Sequence, residues 1–123
     1  MTEPSNNNEE AEIEIIAPSA IEALQRADAF VDVEAVRLTM WQAAWRLASG
    51  SAATAEVATA KFWAAEAGHR VAHAAVHLHG GMGVADEYPI HRYFVWAKQV
   101  EFMLGGATEQ LLRIGDRLAA EPV

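Results

Sequence analysis

The chain contains no cysteine, which excludes disulfides, thiolate metal sites and thiol nucleophiles. Basic residues are also scarce: nine Lys and Arg stand against seventeen Asp and Glu, for a formal charge of −8. Nucleic acids and anionic membranes both require a basic face, so neither is expected as a partner. No apolar run reaches the roughly 18 residues that a spanning helix needs. The opening MTEPSNNNEE lacks the basic, then apolar, pattern of a signal peptide. A length of 123 residues leaves room for one core, not two. Together these absences lead to the expectation of a soluble, cytoplasmic, single-core protein.

Helix breakers are rare too. Between residues 19 and 79 the only glycines are Gly50 and Gly68, and there is no proline. Alanine is abundant instead, with 26 residues, which suggests helices whose axes approach closely. Much of the acidity sits at the start: Glu3, Glu9, Glu10, Glu12 and Glu14 all precede the first base, Arg26. Residues 1–18 therefore read as a disordered acidic tail and linker, and the alternating stretch Glu12 to Ala17 has no strand to pair with. Ser19 and Glu22 form a capping-box pattern for a first helix ending at Gly50. That helix is long enough to kink or split near residues 28–33. Ser51 or Thr54 is expected to cap a second helix that runs to Leu78 and stops at Gly80-Gly81. A third is expected from about Ile90 to Met103, and a fourth from about Thr108 to Ala119. The short connections predict an all-α, up-down four-helix bundle over residues 19–123.

The most unusual local sequence is HLHGGMGVADEYPIHRYF, residues 77–94. Its glycines follow a helix rather than a strand, so they fail the context of a dinucleotide-binding turn. They read either as a plain helix stop or as backbone that something approaches closely. His69, His73 and His77 lie four residues apart, preceded by Glu66. Glu-x-x-His is a di-iron spacing, but such sites need the motif twice and it occurs here once. No metal site is expected, and the histidines read as a polar or interface stripe. No serine sits on a nucleophile turn. Trp41, Trp45, Trp63 and Trp96 read as core or subunit-contact residues.

Residues 55–94 nevertheless carry a longer pattern. Ala60, Lys61, Ala64, Val71, Ala75, His79, Gly80, Gly81, Gly83, Glu87, Tyr88 and Pro89 fall in one ungapped run. That run resembles the C-terminal helical domain of acyl-CoA dehydrogenases. The resemblance extends over about residues 25–119. It implies the bundle that such enzymes use for subunit contacts and for part of the FAD site. It also implies α,β-dehydrogenation of an acyl-CoA thioester, in which a glutamate takes the α-proton and the flavin accepts the hydride. By the same resemblance, His77 (in place of the usual Gln), Gly80 and Gly81 are assigned to FAD.

The departures point to a particular kind of member. The family's common base position falls here at Leu104 or Gly105, neither of which can take a proton. Glu101, one helical turn earlier, is the nearby carboxylate to consider as a replacement. The arginine segment that grips the FAD pyrophosphate has no counterpart. The chain thus resembles the base-lacking subunits of heteromeric, steroid-type enzymes. As partners, the resemblance implies further copies of the chain, a catalytic acyl-CoA dehydrogenase subunit, and acyl-CoA only in a complete complex. No catalytic residue and no activity of the isolated chain are expected. The competing expectation is a stand-alone helical oligomerisation module derived from the family.

Overall fold

The computed structural model describes the backbone of residues 7–121 and side chains from Ser19 to Glu121. Four helices follow one another: α1 (Asn7–Ala48), α2 (Thr54–Leu78), α3 (Pro89–Met103) and α4 (Gly106–Ala120), with a 3-10 segment at Gly80–Val84. The all-α class and the number of helices are those expected from the sequence.

The first helix begins at Asn7, well ahead of Ser19, which is helical and no cap. Glu, Ala and Ile fill residues 9–17; all propagate a helix, and acids favour its positive N-terminal end. Pro18 lacks the N–H that would bond to Glu14, yet the helix continues through it. No break occurs at residues 28–33 either. The expectation for residues 1–6 lies outside the described residues.

The stop at Gly50 has a full mechanism. Gly50 is left-handed, with φ 71°. Its N–H reaches Leu47 O at 3.1 Å, and that of Ser51 reaches Arg46 O at 3.0 Å, the paired bonds of a Schellman motif. The next helix opens at Ala53, without the side-chain cap expected from Ser51 or Thr54. Glu56 supports that first turn instead. A hydrogen bond from its own backbone N–H holds its carboxyl below the usual range, with Arg46 assisting.

The second helix is the spine. Arg46 Nη2 meets Glu56 Oε1 at 2.6 Å, and Arg70 meets Asp32, so α1 lies antiparallel to it. His69 faces Glu101, and His73 faces Phe94, so α3 is antiparallel to its C-terminal half. The last helix continues along its N-terminal half, beside Val57 and Lys61. The order of packing is therefore α1, α2, then α3 and α4 end to end. Among the described residues the backbone of α1 comes close to that of neither α3 nor α4.

Among the described residues the buried hydrophobic ones are all alanines: Ala43, Ala53, Ala58, Ala65 and Ala67. Small side chains let the helices close on one another. Beside the Arg46–Glu56 pair, a two-pronged polar tie joins α1 to α2: Arg70 donates to both carboxylate oxygens of the buried Asp32, at 2.9 and 2.6 Å. Such a two-pronged bond fixes geometry as well as charge. No helix is long and apolar enough to cross a membrane among the described residues.

Candidate functional site: the glycine corner and the α3–α4 turn

At the end of α2, His79 folds its ring back so that Nδ1 donates to Ala75 O at 2.7 Å. Gly80 then turns left-handed, with φ 57°, and the 3-10 segment packs against α2. Gly83 makes that contact and is buried. A Cβ on it would stand 2.7 Å from Val76 O and 3.0 Å from Val76 Cα, both backbone atoms that cannot step aside. Gly80 and Gly81 differ, since nothing lies within 4 Å of a Cβ on either. Their backbone opens outward. His77 is exposed beside them in the last turn of α2, without a hydrogen-bond partner among the described residues.

Tyr88 completes the corner. It is extended, with φ −91° and ψ 133°, as a residue before proline must be. Pro89 then starts α3 at the position where a missing N–H costs nothing. The Tyr88 ring lies 5.6 Å from that of His79, tying the corner to α3. Gly83 and Tyr88 were parts of the matched motif, but their positioning roles were not legible without the contacts. His77, Gly80 and Gly81 lie together at this corner, as neighbours in the chain.

The second place of interest is the α3–α4 turn, where the family base position falls. Leu104 ends α3 and Gly105 is left-handed, with φ 89°. A Cβ on Gly105 would lie 2.5 Å from Glu109 Oε2 and 3.0 Å from Gln110 Nε2. The turn is thus filled by its own side chains. Gln110, only 1% exposed, donates through Nε2 to Leu104 O at 2.8 Å, while its Oε1 has no hydrogen-bond partner.

Two carboxylates stand near this turn, and both are engaged. Glu101 Oε2 accepts from Lys98 Nζ at 3.0 Å and sits 3.3 Å from His69 Nδ1. Lys98 also contacts His69 directly. The Lys98 hydrogen bond, helped by His69, lowers the Glu101 pKa against the opposing effect of burial. A carboxylate held ionised by a lysine is a poor base for a carbon acid. Glu109, which sequence reasoning missed, is bonded to Arg113 Nη2 at 2.6 Å.

Two histidines of the stripe, His69 and His73, make ring contacts. His69 and His73 stack at 4.4 Å, and His73 meets the Phe94 ring edge-on at 5.1 Å. Loss of hydration beside these neighbours lowers the His73 pKa, and the charges of His69 and Lys98 push it the same way. Glu66, first in the stripe, bonds Arg70 at 2.9 Å. No group of three or more His, Asp or Glu side chains is arranged to hold a metal ion among the described residues.

With the geometry described, comparison with known proteins is decisive. The profile described as "Acyl-CoA dehydrogenase, C-terminal domain" matches residues 8–119. The chain belongs to the acyl-CoA dehydrogenase family. Acyl-CoA dehydrogenase FadE27 of Mycobacterium tuberculosis is 60% identical over 78% of this chain. The mitochondrial short-chain specific acyl-CoA dehydrogenase of Rattus norvegicus is 36% identical over 75% of it. The chain spans 28% and 22% of the lengths of these two relatives.

Among solved structures, the ChsE4–ChsE5 complex from Mycobacterium tuberculosis matches 85% of this chain, at 58% identity and a TM-score of 0.81. The match covers 28% of that structure's chain. The Tcur3481–Tcur3483 steroid ACAD matches 80% of this chain at 45% identity and a TM-score of 0.75. It covers 27% of that chain. The family is FAD-dependent.

Proposed function

We propose that this chain supplies the C-terminal helical part of an FAD-dependent acyl-CoA dehydrogenase of heteromeric, steroid-type assembly. Its role is to contribute subunit contacts and one wall of the FAD site, while a partner subunit carries the base. The observation behind this reading is the contrast at the two glycine breaks. Backbone is open at Gly80 and Gly81, whereas the family base position at Leu104 and Gly105 holds no carboxylate, and the Glu109 and Gln110 side chains crowd Gly105.

The residues at the corner fit the cofactor. Glycine backbone without an intervening Cβ lets a pyrophosphate come close, and an exposed imidazole such as His77 offers a hydrogen-bond donor. Gly80, Gly81 and His77 would hold the cofactor's ADP portion. Bound there, FAD would provide the hydride acceptor for α,β-dehydrogenation of an acyl-CoA thioester. The chain's own part is binding and exclusion of water. Neither Glu101, held by Lys98, nor Glu109, held by Arg113, is poised to remove a proton. Likeness to subunits of two-component complexes, one named as a steroid enzyme, supports a partner carrying that role.

The test is flavin absorbance of the chain, purified alone and after co-expression with each subunit of a steroid acyl-CoA dehydrogenase complex, together with dye-coupled turnover. Flavin and turnover are expected only with a partner. Turnover by the isolated chain plus FAD, abolished by Glu101→Gln, would show the base to be misplaced. A second reading, a non-catalytic oligomerisation module, is favoured by the apolar outer face of α1. It predicts no flavin with any partner.

A further inference from the structure

We infer that the cavity between α2 and α4 binds a phosphate ester that also carries a hydroxyl group, the chemistry of a sugar phosphate or a nucleotide. Such a site needs neither flavin nor a partner subunit.

The cavity measures about 700 Å³, within the roughly 300–1,000 Å³ of small-molecule sites. It lies along the first half of α2. Lys61, which lines it, and Leu78, which ends that helix, are separated by about 25 Å at 1.5 Å of rise per residue. The glycine corner is therefore a different place. Leu47 at the end of α1, with Val57 and Ala58 of α2, makes one wall apolar. The charged part is basic: Lys61, Arg113 and Arg117 stand against one acid, Asp116. In a chain with a net charge of −8, that local balance runs against the composition.

The bases converge from two helices. Gln110, Arg113 and Arg117 recur at steps of three and four, so one face of α4 carries all three. Lys61 approaches from α2, half-buried and with no hydrogen bond or ion pair among the described residues. It belongs to the run shared with the family, yet it has no part in the glycine corner. Arg113 and Arg117 each commit one nitrogen, Nη2, to an exposed glutamate: Glu109 Oε1 at 2.6 Å and Glu121 Oε2 at 3.2 Å. Exposed pairs of this spacing are weak, and the remaining guanidinium N–H groups can fork onto a phosphate. Glu56, the acid at the start of α2, is taken up by Arg46.

Gln110 adds the requirement for a donor. Its side chain is 1% exposed and lines the same cavity. Nε2 is fixed on Leu104 O at 2.8 Å. Turning the amide would set oxygen against oxygen, so the group left over is the acceptor. That acceptor, Oε1, is buried with no hydrogen-bond partner, an arrangement that folded proteins rarely leave standing. A fully ionised phosphate ester cannot relieve it, whereas a hydroxyl on the same molecule can. The apolar wall then meets the carbon skeleton.

The test is isothermal titration calorimetry of the whole chain in a phosphate-free buffer, with ribose phosphate as the probe. Ribose phosphate is expected to bind, and ribose at the same concentration is not. Methyl phosphate, which lacks the hydroxyl, should bind about tenfold more weakly. Lys61→Met should weaken ribose phosphate by about tenfold or more, since a hydrogen bond to a charged group is lost. Lys61 has no partner to lose, so circular dichroism should show the helices of that variant intact. Arg26→Met removes the same charge at an exposed site on α1 and should leave affinity within about twofold. AMP binding more tightly than ribose phosphate would support the site and identify a nucleotide as the source of the phosphate. The absence of binding by either ester at millimolar concentration would overturn the inference. So would methyl phosphate binding as tightly as ribose phosphate, or an equal loss in the Lys61 and Arg26 variants, which would mean diffuse attraction without a site.

Discussion

The glycine corner after α2 and the turn between α3 and α4 are built from the same residue type and end up as opposites. At the corner, Gly83 is the packed glycine and leaves Gly80 and Gly81 facing open space. At the turn, Glu109 and Gln110 close over Gly105, and Gln110 holds the Leu104 carbonyl. A glycine can serve a neighbour inside the fold or a visitor from outside. Only the atoms around it tell which.

The largest expected effect comes from crossing that distinction at Gly83. Gly83→Ala drives a Cβ into backbone of α2, and overpacking of this kind costs typically about 1–3 kcal/mol. The rigid obstacle puts Gly83→Ala at the upper end, read as a fall in denaturant midpoint. A neutral outcome would mean that the 3-10 segment does not press on Val76.

Next comes Gly105→Ala, with an expected loss of about 1–2 kcal/mol from the left-handed backbone. The nearest obstacle there is the movable Glu109 side chain, so Glu109→Ala in the same chain should recover only the contact part. Full recovery would show that crowding, not φ, determines the residue.

A smaller effect links the two regions through the α2–α3 contact. Glu101 has its folded pKa lowered by Lys98, so its contribution to stability is present above the unfolded carboxylate pKa of about 4.3. It is lost as pH falls through the folded value. His73 has its folded pKa lowered chiefly by lost hydration. Its neutral form is favoured in the fold, so stability should also decline as pH falls below the unfolded value of about 6.5. Urea titrations from pH 7 to 5 should be flatter for His73→Phe, and those from pH 5 to 3 flatter for Glu101→Gln. Unchanged slopes would mean the contact is not formed in solution.

The smallest effect is also the sharpest test of the corner. Gly81→Ala has room for its Cβ and should change stability by no more than about 0.5 kcal/mol. If the open backbone serves the cofactor, the same variant should retain less flavin in a partnered complex. Normal flavin content would separate the corner from the FAD site.

The helices were legible in the sequence because their signals are local. Gly50 ends α1 with its own dihedral, and Pro89 after Tyr88 opens α3 by the sterics of one peptide unit. Capping was less legible, since Ser19 offers a good cap that the Glu-, Ala- and Ile-rich stretch before it makes unnecessary. The family was readable because its motif is contiguous. It includes the absence of a carboxylate at Leu104 and Gly105, which no fold can supply.

What only the tertiary structure decided concerns pairs far apart in the chain. That Asp32 holds Arg70, that Glu101 is paired with Lys98 and His69, and that Gly83 is packed while Gly81 is open depend on which helix faces come together. The end-to-end run of α3 and α4 along α2, which leaves the outer side of α1 bare, is decided in the same way. A helix propagates through bonds four residues long, so sequence fixes where it starts and stops. Which of its faces becomes an interior is settled by close packing of small side chains from separate helices, a property of the assembled surfaces and not of any one stretch of chain.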